Sequence, residues 1–137
     1  MMRLWVNVAL IAMALGFSAV PASAERNLVP SLERSFDVCA GRPAEPEWMQ
    51  SIALRDAYQR MLVQDIYRAQ NLERIVETGS CTCETRFPAW DEAEATFHEH
   101  HASAERWEML QTSGRYNRRA NEVRLAAKAI CDAAGNW

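Results

Sequence analysis

The chain has 137 residues, 49% of them hydrophobic, and residues 25–137 are enough for one small domain and too few for two. Its formal net charge of −3 argues against a protein that neutralises nucleic-acid phosphates. Arginines do cluster between Arg115 and Arg124, but their acidic neighbours favour a solvated helix face, and we expect no nucleic-acid partner.

The first 24 residues have the pattern of a secretory signal peptide. A short basic head precedes a mostly apolar run over residues 4–20, and Ala22, Ser23 and Ala24 form a small-x-small cleavage site. The apolar run is shorter than the ~20 residues that a membrane-spanning helix needs. We expect cleavage after Ala24 and no lipid-attachment cysteine, so that residues 25–137 form a single helical domain without a stable membrane anchor, periplasmic or secreted.

Helical periodicity runs through the rest of the chain and predicts an all-α fold. Residues 27–40 predict a short lead-in helix, and residues 41–46, with two prolines and a glycine, predict a turn. Residues 46–78 carry apolar side chains at steps of three and four, which predicts one unbroken helix. Pro46 suits its first turn, and Gly79 suits a left-handed residue just after its end.

A second helix is expected from residue 88 or 90 to about residue 110, on the same kind of apolar spacing. Residues 111–115 are poor helix formers and coincide with a change of phase, so the helix either breaks there or continues against a new partner. Another helical stripe follows over residues 116–134. We therefore expect a long helical hairpin or a small helical bundle with disulfides. Its predicted core is Trp48, Met61, Leu62, Ile66, Leu72, Trp90, Phe97 and Trp107.

The four cysteines predict disulfides, because an even number occurs in a small exported chain. An unbroken helix over residues 46–78 would be ~50 Å long, whereas the few residues between Cys39 and its start can span only ~25 Å. Bridged Cα atoms must lie within ~7 Å of each other. Cys39 is therefore not expected to reach Cys81 or Cys83.

This geometry leaves one full pairing and one alternative. If the last helix runs back past the start of the long one, Cys39 pairs with Cys131, and Cys81 and Cys83 are left to each other. We prefer this pairing because export leads to an oxidising compartment. The alternative is a helix broken at Gly114, which would return Cys131 to Cys81 or Cys83 and leave two free thiols.

Two groups of side chains suggest metal or thiol chemistry. Histidines cluster at residues 98–101, but their spacing differs from that of the zinc hydrolases, and we favour a solvated helix face. Cys81 and Cys83 could form a redox-active pair or bind a soft metal such as Cu(I), although we favour a structural role. The weak metal candidates, which share one helical face, are Glu94, His98, His101 and Glu105.

The run SCTCETRFPAWDEAEATF, at residues 80–97, follows a long predicted helix in an exported helical chain. On these residues, roughly one seventh of the chain, the sequence resembles small periplasmic accessory proteins of bacterial conjugal-transfer and type IV secretion systems. None of the residues is a catalytic signature. What the resemblance implies is an assembly or adaptor role in the cell envelope, with protein partners.

The sequence carries no glycine-rich phosphate loop and no hydrolase nucleophile motif. We therefore expect a non-enzymatic protein without a cofactor, whose five tryptophans exceed what a small core buries and point to a binding surface. The alternative is a periplasmic copper- or zinc-binding or thiol-redox protein that uses Cys81, Cys83 and the histidines at 98–101.

Overall fold

The computed structural model describes residues 39–137, which form helices and no β-strand, so the all-α prediction is confirmed. The α-helices are α1 (Glu47–Gln50), α2 (Ala57–Thr78), α3 (Cys83–Arg86), α4 (Asp91–His100) and α5 (Arg106–Ala133), and a 3-10 helix at Leu54–Asp56 precedes α2. The signal peptide expected at residues 1–24 and nearly all of the predicted lead-in helix lie outside the described residues. Within residues 39–137, no helix is both long and apolar enough to cross a lipid bilayer.

The prediction of one helix over residues 46–78 is wrong at its start and right at its end. The helix ends before Gly79, whose φ of 63° is the left-handed conformation expected there. At the other end, α1 is a separate turn of helix that folds back and buries Met49 completely against α2. Burial of such a side chain contributes about 1.5–3 kcal/mol, which helps to offset the backbone hydrogen bonds lost at the interruption.

The three longer helices run up, down and up, with α2 in contact with both of the others. α4 is antiparallel to α2, because Gln70 donates to Thr96 (2.9 Å) and Arg74 pairs with Glu92. α5 is parallel to α2, as a series of contacts along the two helices shows. These contacts join Tyr58 to Arg106, Asp65 to Ser113, and Glu73 to Arg119.

The predicted second helix over residues 90–110 is in fact two helices. α4 ends at His100, and α5 begins at Arg106 with a capping box in which Glu105 and Glu108 bond each other's backbone N–H groups. Residues 111–115, where the sequence allowed a break in the helix, lie inside α5, which continues through them. Thr112 and Ser113 are buried there, and Ser113 donates a hydrogen bond to Asp65 of α2, so that packing outweighs their poor helix propensity.

The core forms along α2 in two clusters. Four of the predicted core residues are buried, namely Leu62, Ile66, Leu72 and Phe97, whereas Trp48 and Trp90 are half-buried and pack against the first cluster. Met61 and Trp107 are exposed by 40% and 59%, so their placement in the core is wrong. The sequence places Trp107 in the core only if the apolar stripe of α4 continues through residues 101–105. The helix ends there, and α5 begins with its own orientation, so Trp107 faces solvent.

Candidate functional site

All four cysteines are bonded, but the predicted pairing of Cys39 with Cys131 and of Cys81 with Cys83 is wrong. The disulfides join Cys39 to Cys83 and Cys81 to Cys131, with Cα–Cα distances of 5.5 and 5.0 Å. The alternative prediction was a bond from Cys131 to Cys81 or Cys83 with two free thiols. It was right about the bond to Cys81 and wrong about the free thiols, since none of the four cysteines is free. Two disulfides indicate an oxidising compartment.

The up-down-up course of the chain explains the bond between Cys81 and Cys131. In a hairpin, a continuous helix over residues 90–134 would carry Cys131 towards the start of α2. The turn between α4 and α5 instead reverses the chain once more, so that α5 finishes beside the end of α2. Cys131 therefore meets the residue that follows α2, which is Cys81.

The interruption before α2 explains the other disulfide. Trp90 donates to the carbonyl of Pro43 (3.3 Å), and Glu45 forms an ion pair with Arg60 (2.6 Å). Residues 39–45 therefore run beside α2, from its carboxyl-terminal end towards its start. The 18 residue steps from Cys39 to the start of α2 can cover ~60 Å, against ~33 Å for the helix. The span of ~25 Å expected from the sequence for the residues after Cys39 applies only to a helix that begins at residue 46.

Cys81 and Cys83, the two cysteines of the CTC run, thus belong to different disulfides. Cys81 and Cys131 are buried, and the Asn136 amide donates to the Cys81 carbonyl (2.8 Å) beside them. Arg86 donates in turn to the carbonyl of Asn136. Cys81 and Cys83 are therefore not a redox pair with each other, and with both bonds formed neither offers a thiolate to a soft metal.

The structure places the weak metal candidates in separate contacts. Glu94 accepts a hydrogen bond from Trp48 Nε1 (2.7 Å), and Glu105 belongs to the capping box of α5. His101 lies 3.4 Å from the Tyr116 hydroxyl, and burial lowers the pKa of its imidazole, with His100 and Arg115 adding to the shift. His98 is exposed. Among residues 39–137, no group of three or more His, Cys, Asp or Glu side chains is arranged to hold a metal ion.

A patch of exposed apolar side chains lies where α2 and α5 begin, and we name it the end surface. Met61 lies on α2 between Tyr58 and Asp65, and Leu110 lies on α5 between Arg106 and Ser113, the residues that contact Tyr58 and Asp65. The end surface consists of Leu54 (91% exposed), Met61, Trp107 and Leu110. Four large apolar side chains at one end of a helix pair mark a surface that another molecule can cover.

The other tryptophans in the first core cluster have internal partners. Trp48 stacks on Phe97 with ring centroids 5.8 Å apart, and Trp90 stacks on Tyr67 at 3.8 Å. Within residues 39–137, Trp107 has neither a stacking partner nor a core position, which singles it out for an external contact. Sequence reasoning missed this role, because the capping box that starts α5 has Glu105 in place of the serine, threonine, aspartate or asparagine by which a helix start is usually recognised.

Comparison with protein families, with curated proteins and with solved structures finds no match to this chain. The likeness to accessory proteins of conjugal-transfer and type IV secretion systems therefore stays a prediction.

Proposed function

We propose that this protein is a non-enzymatic assembly or adaptor component of the cell envelope that binds another protein through its end surface. Its location would be periplasmic, and its setting an apparatus of the conjugal-transfer or type IV secretion kind. The exposed Trp107, among three further exposed apolar side chains, is the observation that carries this proposal.

Trp107 has the properties of a binding anchor. Tryptophan is among the residues that contribute most at protein interfaces, since it buries a large rigid surface and loses little conformational entropy. Leu54, Met61 and Leu110 provide the surrounding apolar contact that excludes water. We expect the partner to present an apolar surface of similar size with polar residues at its rim.

The frame behind the end surface is stiff, which favours binding. The Asp65–Ser113 hydrogen bond and the Glu73–Arg119 ion pair hold α2 against α5, and the Cys81–Cys131 disulfide joins α5 to the segment that follows α2. A surface that is already ordered loses less entropy when it binds. The alternative, a metal-binding or thiol-redox protein, draws no comparable support, since Cys81 and Cys83 are bonded to Cys131 and Cys39 and not to each other.

The proposal is tested by photo-crosslinking in the native envelope. A benzophenone amino acid replaces Trp107 in one variant and Leu125 in another, because Leu125 is an exposed leucine of the same helix (78% exposed) that lies outside the end surface. We expect position 107 to yield a discrete crosslinked protein and position 125 to yield none.

Affinity gives a second measurement once that partner is purified. Trp107→Ala should weaken binding by about 2 kcal/mol, or roughly 30-fold, whereas Leu125→Ala should leave it within about twofold. Equal crosslinking from the two positions, or none from position 107 in a folded variant, would contradict the proposal.

A further inference from the structure

A groove of 470 Å³ lies between α2, α3 and the last turns of α5, at the opposite end of α2 from the end surface. Its apolar lining includes Leu72 and Ile75 of α2, and the rings of Phe87 and Trp137. This volume is within the range of small-molecule sites, ~300–1,000 Å³. The groove can therefore enclose a compact apolar group.

Three arginines also line this groove, namely Arg68, Arg86 and Arg124. Among the described residues that line it there is no aspartate or glutamate. Arg68 donates to the amide oxygen of Asn121 (2.9 Å), and Arg86 to the backbone carbonyl of Asn136. Within residues 39–137, none of these three guanidinium groups forms an ion pair.

This arrangement differs from that of three other arginines on the described surface. Arg60, Arg74 and Arg119 each pair with a glutamate, in a protein whose formal net charge is −3. A concave site lined by one sign of charge beside apolar walls concentrates ions of the opposite sign. The groove thus brings three arginines without an ion pair together beside an apolar lining.

Positive charge is crowded around Arg86. Its guanidinium carbon lies 4.9 Å from the centroid of the Phe87 ring, and that of Arg42 lies 3.9 Å from the same centroid. Burial lowers the pKa of Arg86, and the charge of Arg42 lowers it further. An anion at Arg86 would offset the repulsion between the two guanidinium groups.

We propose that this groove binds a small organic anion that joins one carboxylate or phosphate group to an apolar body. The guanidinium groups take the anionic head, since their planar fork of N–H donors matches the oxygens of carboxylate and phosphate. Leu72, Ile75 and Trp137 cover the apolar body. The site is distinct from the end surface, and the proposal does not rest on the proposed adaptor function.

The test is calorimetric titration of the disulfide-bonded protein with four probes: decanoate, decyl phosphate, decanol and inorganic phosphate. Decanoate or decyl phosphate should bind at least tenfold more tightly than decanol, because only they engage the arginines. Either should also exceed inorganic phosphate tenfold, because only they fill the apolar lining. The tighter of the two anions identifies the head group that the site prefers.

Two arginines of α5 supply a matched pair of variants. Arg124→Gln removes a lining cation, and Arg118→Gln removes an exposed cation of the same helix that does not line the groove. We expect Arg124→Gln to weaken binding of the preferred anion about tenfold, equivalent to about 1.4 kcal/mol, and Arg118→Gln to change it less than twofold.

Three outcomes would overturn the proposal. Decanol binding as tightly as both anions would show a merely apolar groove, and equal losses in the two variants would show a general charge effect. No binding of either anion at about 1 mM, in protein whose two disulfides are verified, would show that the groove is not a ligand site.

Discussion

The disulfide pairing predicts a pattern of stabilities that depends on which cysteines are replaced together. The two bonds close loops with sequence separations of 44 and 50 residues. In the chain-entropy model, each closure destabilises the unfolded chain by about 4 kcal/mol. Replacement of Cys39 and Cys83 by alanine should therefore lower the free energy of unfolding by about 4 kcal/mol.

Replacement of Cys81 and Cys131 should cost somewhat more. Both residues are buried, Cys131 completely, so alanine also leaves a small cavity worth about 1 kcal/mol. Each single replacement should cost about as much as the matched double replacement, because one missing sulfur already opens the bond.

The crossed variant, with alanine at Cys39 and Cys131, decides between pairings. It opens both bonds and should cost about 8 kcal/mol, most of the 5–15 kcal/mol that stabilises a typical small domain. Urea unfolding without reductant, followed by circular dichroism at 222 nm, measures these differences. A crossed variant no less stable than the Cys39/Cys83 variant, or an unreduced peptide joining Cys39 to Cys131, would refute the pairing.

The remaining predictions concern two glycines and one histidine. Gly114→Ala should raise the free energy of unfolding by about 0.5–1 kcal/mol, since the residue is inside α5 and an added Cβ comes no closer than 3.8 Å to Arg118. Gly79→Ala should lower the free energy of unfolding by about 1 kcal/mol, because a φ of 63° is strained for an L-residue. The same urea titration measures both variants. Equal effects of the two substitutions would contradict the left-handed conformation of Gly79 and the helical one of Gly114. The pKa of His101 is lowered in the folded state from 6.5, so the unfolded chain takes up the proton more readily and stability should fall as the pH drops below 6.5. In His101→Gln that fall should be smaller, and identical pH dependence in the two proteins would show that His101 does not contribute.

The sequence by itself determined the local features of this protein. The helical period of the apolar residues was enough to predict an all-α fold, and Gly79 was enough to predict the end of α2, because both depend on neighbours along the chain. Burial of Leu62, Ile66, Leu72 and Phe97 followed from the same period. The presence of disulfides followed from the number of cysteines.

Only the tertiary structure decided where the helices stop and therefore which residues meet. The short-range pattern allowed a continuous helix through residues 51–53 and through residues 101–105, and the packing of Met49 and the start of α5 broke it at both places. Each break reverses the direction of the following chain, so one misplaced boundary moved Cys131 to the wrong end of α2 and Trp107 into the core. Apolar periodicity records which side of a helix is covered, but the direction in which the next helix leaves depends on long-range contacts that no local pattern contains.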